Sequence, residues 1–156
     1  RIETLGTLDE TNAAIGIARS FCENEELWVI MLQTQRNLYK LMSEIGASEE
    51  AEQHFQFVTE EELTNLESQV DALSAKYKPP RAFIVPGDTK SGAYIDLARA
   101  IVRRAERRVT EMNNAGFLRN KLILKYVNRL SSLMFALEIA EYLSQSGSVT
   151  LAKPKI

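Results

Sequence analysis

Apolar side chains recur every three or four residues along most of the chain, which is typical of helices that bury one face. The spacing predicts five helices: the first begins after Thr7, the second spans about 25–47, the third starts after Thr59, the fourth ends near 113–116, and the fifth spans about 118–144. Apolar residues seven positions apart favour nearly parallel helix packing. We therefore expect an all-α, up-and-down five-helix bundle.

The polar residues at the ends of these segments support the helix boundaries. Thr7 with Glu10, and Thr59 with Glu62, each have the spacing of a capping box, in which the two side chains bond the backbone at a helix start. Gly116 follows two asparagines and is a good stop for the fourth helix.

Two stretches interrupt the helical pattern. Residues 47–56 are polar and acidic and are expected to be a connection, while 78–90 contains three prolines that a helix interior does not tolerate. The second stretch carries a short apolar segment, 83–85, before the Pro86–Gly87 turn. Either this segment plugs one end of the bundle, or Phe83 lines a site just before the fourth helix.

The fourth helix carries a run of arginines beside its apolar stripe. The stripe consists of residues at three- and four-residue steps: Ile95, Ala98, Val102, Ala105 and Val109. Arg99, Arg103 and Arg107 step by four and form a cationic stripe on the same helix. This stripe is either a solvated face or a polyanion site. Periodicity alone favours the solvated face, but each basic residue of the run is Arg, whose planar fork of donors suits phosphate better than Lys does, and this weakens that interpretation.

Composition narrows the possible functions. The chain has 156 residues, a net charge of −2, one Cys and one His. The length is typical of one domain, and the charge argues against general nucleic-acid binding. A single Cys and a single His make a metal site built on those ligands improbable, so no metal ligand is expected. No apolar run is long enough to span a membrane, and we expect a cytoplasmic protein.

Four stretches together resemble one protein family. They are LGTLDETNAAIG at 5–16, FIVPG at 83–87, ARAIVRRAERR at 98–108 and YVNRLS at 126–131. In order and spacing they resemble the ATP:cob(I)alamin adenosyltransferases of the propanediol-utilisation type, and the resemblance covers nearly the whole chain. It implies a homotrimeric five-helix bundle with active sites between subunits, and one domain over 1–156 that lacks the family's N-terminal phosphate-binding segment.

The resemblance also implies roles for individual residues. The residues expected to bind ATP are Arg103, Arg104, Glu106, Arg107 and Asn128. Asp9 and Arg99 are expected to pair across the subunit interface, and Phe83 to lie on the lower axial side of the corrin ring. From the residues alone, Asp9 is equally a charge near a helix start, and Asn128 an outward-facing polar side chain. Ser132 stands where the family usually has Asp.

The reaction implied by the resemblance joins cob(I)alamin to the 5′ carbon of ATP and releases triphosphate. Fixed guanidinium groups, Arg103 among them, would stabilise the departing polyanion. ATP with Mg²⁺ and cobalamin are the expected substrates, and a reductase and an adenosylcobalamin-dependent acceptor enzyme are possible partners. Two alternatives remain: a non-catalytic helical interaction module, or a module that binds polyanions.

Overall fold

Five helices account for most of the protein. The computed structural model describes residues 1–48, 51, 54 and 56–153. The helices are α1 (Ile2–Phe21), α2 (Glu25–Gly46), α3 (Glu60–Lys76), α4 (Lys90–Asn114) and α5 (Leu122–Gln145). Within the described residues the extended structure is limited to one isolated antiparallel bridge, between Ile84 and Leu151. The predicted all-α, five-helix architecture is confirmed.

Two of the predicted helix starts differ in outcome. Thr59 caps α3 as predicted, since its hydroxyl accepts a hydrogen bond from the backbone N–H of Glu62 at 3.2 Å. The prediction for Thr7 is wrong, because α1 already begins at Ile2. Thr7 lies inside the helix and donates its hydroxyl to the carbonyl of Glu3 at 2.8 Å. Thr4, one turn earlier, is buried, so packing extends the helix beyond the local capping signal.

The last helix begins four residues later than predicted, at Leu122. Asn120 holds the preceding turn: its side chain accepts from the N–H of Leu122 at 3.1 Å and donates to Glu44 at 2.6 Å and to the carbonyl of Val58 at 2.8 Å. At the end of α4 the predicted stop is confirmed, because Gly116 adopts a left-handed φ of +77° that favours glycine.

The helices alternate in direction along the chain. α1 packs against α2 and α4, and α5 packs against α2, α3 and α4. Thr4, near the start of α1, lies beside Met112, near the end of α4, and Ala18, near the end of α1, lies beside Ser91, near the start of α4. The helices α1 and α4 are therefore antiparallel. Gly92 lies beside Tyr142 and Glu106 beside Asn128, so α5 is antiparallel to α4. The order is therefore up-and-down, as predicted.

The predicted apolar stripes form the core. All five stripe residues of α4 are buried, and so are the apolar residues that recur at three-, four- and seven-residue steps along α2 and α5: Leu27, Met31, Leu38, Leu41, Ile45, Ile123, Val127, Leu130, Met134 and Leu137. Val70, Tyr77 and Cys22 are only half-buried and pack against the edge of the core. No helix in the described ranges has both the length and the apolar content to cross a membrane.

Two backbone hydrogen bonds hold the connection between α3 and α4 in place. The N–H of Val85 donates to the carbonyl of Thr150, and the N–H of Ala152 donates to the carbonyl of Phe83, both at 2.8 Å. The side chain of Phe83 is 89% exposed, so the segment does not plug the bundle. The other predicted connection, 47–56, lies partly outside the described residues, at 49, 50, 52, 53 and 55.

Candidate active site

The candidate site follows the seam between α4 and α5. Near the start of α4 the two helices come very close, because Gly92 faces the ring of Tyr142. A Cβ atom on Gly92 would lie 2.2 Å from the Cε1 atom of Tyr142. The buried Tyr142 hydroxyl accepts a hydrogen bond from the N–H of Gly87 at 2.9 Å. One aromatic side chain thus ties the α3–α4 connection to the helix pair.

A cavity of about 600 Å³ opens beside this contact, and we call it the Phe83 cavity. Its apolar wall is formed by the α3–α4 connection together with one residue of α5: Phe83, Ile84, Pro86 and Phe135. Its charged wall consists of Arg81, Asp96, Arg99 and Glu138. The structure therefore brings two predicted site residues, Phe83 and Arg99, into one cavity that has both apolar and charged lining residues.

Arg99 is held by a carboxylate of its own helix. Its Nε and Nη2 atoms both donate to the Oδ1 atom of Asp96, at 2.8 and 2.7 Å. Asp9, the predicted partner of Arg99, is exposed on α1 and has no ion pair within the described part of this chain. Its neighbour Glu10 reaches Arg104, five residues after Arg99 on α4, which is about 7–8 Å along the axis. Within one subunit, Asp9 and Arg99 are therefore not brought together.

Glu138 is the buried charge of this cavity. Its residue is 1% exposed, and neither carboxylate oxygen has a hydrogen-bond partner. Burial, and secondly the charge of Asp96, raise the pKa of Glu138 to about 7, although Arg99 and the nearby hydroxyl of Tyr142 oppose the shift. Sequence reasoning missed this residue. The available signal was a single acid inside the apolar run 133–140 of the last helix.

A second opening lies farther along the same seam, and we call it the Asn128 cleft. It measures about 370 Å³ and is lined by α3, α4 and α5 residues that include Glu67, Glu106, Thr110, Lys125 and Asn128. Glu106 joins two predicted site residues, because its Oε1 accepts from Asn128 at 2.7 Å and its Oε2 accepts from Arg103. A guanidinium and a carboxamide are thus held by one carboxylate that lines the cleft.

The remaining predicted phosphate ligands lie on different faces of α4. Arg107 stays near Arg103, whose carbonyl accepts from its Nη1 at 3.2 Å. Arg104 instead points towards α1 and pairs with Glu10. The protomer therefore groups Arg103, Glu106 and Arg107 with Asn128, and separates them from Arg104.

Two basic residues of the Asn128 cleft were not singled out from the sequence. Lys125 lines it directly, and Arg129, which also lines it, pairs with Glu67 of α3 at 3.0 Å. Arg129 lies within the YVNRLS stretch, so the signal was present in the sequence. Across the described residues, no group of three or more His, Cys, Asp or Glu side chains has the arrangement of a metal site.

Related proteins of known activity match most of the chain. The corrinoid adenosyltransferase PduO of Citrobacter freundii is 32% identical over 142 residues, which are 90% of this chain and 42% of the relative. The corrinoid adenosyltransferase of Bacillus subtilis is 34% identical over 140 residues, covering 87% of this chain and 71% of the relative. The chain thus spans less than half the length of the Citrobacter protein.

Solved structures are similar over nearly the full length. A variant of the PduO-type ATP:corrinoid adenosyltransferase of Lactobacillus reuteri, complexed with cobalamin and ATP, superposes with a TM-score of 0.83 at 27% identity and covers 97% of this chain and 84% of its own. Another variant of the same enzyme, complexed with ATP, superposes with a TM-score of 0.85 at 26% identity and covers 98% of this chain and 87% of its own. The cobalamin adenosyltransferase family profile matches residues 1–141. The chain belongs to the cobalamin adenosyltransferase family.

Proposed function

We propose that this protein transfers the 5′-deoxyadenosyl group of ATP to the cobalt of cob(I)alamin, forming adenosylcobalamin and releasing triphosphate. The observation that carries the proposal is the pairing of two openings on one helix seam, an apolar-walled Phe83 cavity and a polar Asn128 cleft. Arg99 and Glu106, one from each, are seven residues apart on α4, or about 10 Å along the axis. Arg103 lies between them.

The cluster around Glu106 suits the phosphate end of ATP. Arg103 and Arg107 carry charge on a rigid helix, so their positions change little as the triphosphate departs, and such preorganised charge lowers the barrier. Glu106 holds Arg103 and Asn128 in place through its two oxygens. Arg104 would join them only if the bound nucleotide reached its own face of α4. Mg²⁺ is proposed to arrive with ATP, coordinated by the phosphates.

The Phe83 cavity suits the corrin. An exposed aromatic ring above an apolar wall offers a flat surface without donor atoms, so it excludes a lower axial ligand from the cobalt of a bound corrinoid. Loss of that ligand makes cobalt(II) easier to reduce, and cobalt(I) is the nucleophile that attacks the 5′ carbon. The protein supplies no ligand to the cobalt in this scheme.

We also propose an assembly for the site. In a homotrimer, Arg99 would exchange Asp96 for Asp9 of a neighbouring subunit, and the active site would form between subunits. Residues 1–156 would act as one domain. We propose a cytoplasmic location, in line with the free thiol of Cys22. The proposed partners are a reductase and an enzyme that accepts the adenosylcobalamin.

The direct test is turnover. We expect the protein, incubated without oxygen with reduced cobalamin and Mg-ATP, to produce the absorption spectrum of adenosylcobalamin. Arg103→Ala should lower kcat/KM by roughly 10²–10³-fold, the usual range for one lost transition-state donor. Arg108→Ala is the matched control, because Arg108 pairs with Glu111 and faces α1 rather than the Asn128 cleft.

Each outcome separates the possible functions. Equal activity of the Arg103 and Arg108 variants would reject the phosphate role of Arg103. ATP binding without product would favour a polyanion-binding module instead. Absence of both binding and product from folded protein would leave the helical interaction module.

A further inference from the structure

Glu138 carries an unused hydrogen-bonding capacity at the Phe83 cavity. Glu138 is 1% exposed and both of its carboxylate oxygens lack a hydrogen-bond partner, and the residue lines an opening of about 600 Å³. A buried carboxyl without partners is unfavourable in the free protein. Such a group is retained where a ligand supplies what the protein does not.

The charges around Glu138 show why the protein itself leaves it unpaired. From α4 it faces Asp96 and Arg99, and from its own helix Tyr142, while Arg81 of the α3–α4 connection lines the same cavity. Asp96 already takes two donors of Arg99. Two acids therefore share one nearby guanidinium, and Glu138 is the acid without it.

The shape of the cavity indicates which donor is missing. Phe83, Ile84, Pro86 and Phe135 form an apolar wall, so a ligand that fits the cavity presents an apolar surface there. Glu138 then requires a polar group at the edge of that surface. A second cation is disfavoured because Arg81 and Arg99 already line the space. A neutral N–H donor meets both conditions, and corrins carry primary carboxamides around the edge of the ring.

We propose that Glu138 is a further substrate-binding residue, whose carboxyl group hydrogen-bonds a peripheral carboxamide of the corrinoid. This inference rests on the proposed function. A primary carboxamide both donates and accepts, so it pairs with the neutral acid through two hydrogen bonds and with the carboxylate through one. The contact would fix the rotation of the corrin ring over Phe83.

The protonation of Glu138 gives the proposal a signature. Its pKa of about 7 means that both forms exist near neutrality. A corrinoid whose amides are replaced by methyl esters has no N–H donor, so it bonds only the neutral acid, which donates. As the pH rises from 6 to 8 the acid ionises and the ester loses its bond, whereas the amide keeps one. The preference for amide over ester therefore grows with pH.

The test compares two corrinoids in the cobalt(II) state, cobinamide and the heptamethyl ester of cobyrinic acid. Their dissociation constants are measured by spectroscopic titration at pH 6, 7 and 8. Wild-type protein with bound Mg-ATP should prefer cobinamide, by roughly tenfold more at pH 8 than at pH 6. In the Glu138→Leu variant, the preference for cobinamide over the ester should not increase at pH 8. In the Glu138→Gln variant, the preference should be small and should not change with pH.

Glu141→Gln is the matched control. Glu141 is also buried on α5, three residues after Glu138 and outside the cavity lining, and its oxygens accept from Cys22 and Gln145. We expect it to keep the wild-type pH dependence. An identical pH-dependent preference in wild type and Glu138→Leu would overturn the role of Glu138 while leaving the proposed function intact. Failure of the wild type to bind cobinamide at all would reject both.

Discussion

Phe83 is a large apolar residue that contributes almost nothing to the core. Its side chain is 89% exposed, whereas its carbonyl is fixed by the N–H of Ala152. A hydrophobic ring that is held in solvent by its backbone gains no burial energy in the free protein. Under the proposed function, this exposed position leaves the ring free to cover the corrin.

The Phe83→Ala substitution separates function from stability. Because the ring is exposed, we expect the melting temperature to change by no more than about 1–2 °C, in line with surface substitutions. Adenosylation should slow strongly, because less four-coordinate cobalt(II) forms without the ring. Electron paramagnetic resonance of bound cob(II)alamin measures that species directly.

Phe117→Ala serves as the control for this substitution. Phe117 is 66% exposed but follows α4 at the opposite end of the bundle. It should leave both activity and the cobalt signal unchanged. An unaltered amount of four-coordinate cobalt(II) in Phe83→Ala would refute the axial role.

At the scale of elements, the close contact between α4 and α5 depends on a glycine, which has no side chain to hold the helices apart. Gly92 is buried in the first turn of α4, capped by the hydroxyl of Thr89, which accepts from the Gly92 N–H at 2.9 Å. The ring of Tyr142 fills the space that a Cβ would occupy. The close approach sets the distance between the helices where the Phe83 cavity begins.

The Gly92→Ala substitution should destabilise the protein despite the better helix propensity of Ala. The new methyl group would meet both Tyr142 and the Thr89 hydroxyl, and overpacking of this kind costs about 1–3 kcal/mol. Urea unfolding measures the loss. Gly6→Ala is the opposite control, since no atom lies within 4 Å of its Cβ in the interior of α1, and we expect a gain of about 0.5–1 kcal/mol. Equal effects of the two would contradict the packing argument.

At the scale of the whole molecule, one face of the bundle combines apolar and charged groups. Ile17 and Phe21 of α1 and Leu97 of α4 are 41–47% exposed, and Asp9 and Arg99 belong to the same two helices. The stacked rings of Phe21 and Tyr94 lie at this face, with centroids 5.8 Å apart. Such a surface is suited to packing against a second copy of the chain.

A double-mutant cycle tests the proposed pairing of Asp9 with Arg99. Each residue is changed to Ala, singly and together, and the trimer dissociation is followed by sedimentation equilibrium. If the pair forms between subunits, the second substitution should change the free energy of trimer dissociation little beyond the effect of the first. The coupling energy between the two residues should then be about 1 kcal/mol or more. Strict additivity would show that Arg99 remains with Asp96, and a monomeric wild type would reject the assembly.

The core was predictable because its signal is repeated. Five residues of the α4 stripe agree on one buried face, so a single misleading position does not change the result. The start of α5 was not predictable, since Asn120 is fixed by Glu44, 76 residues earlier in the chain. Nor could periodicity find that Arg103 and Asn128 meet on Glu106, because residues on separate helices are joined only by the packing.

The pinned connection before α4 has a consequence for how the protein is made. The carboxylate of Asp88 accepts from the N–H and the hydroxyl of Thr150, both at 2.7 Å, across 62 positions of sequence. While the ribosome is still synthesising α5, these partners do not yet exist, and contacts so distant in sequence form late. The nascent chain can therefore pack its helices early, but it acquires a fixed Phe83 only when the residues after α5 emerge.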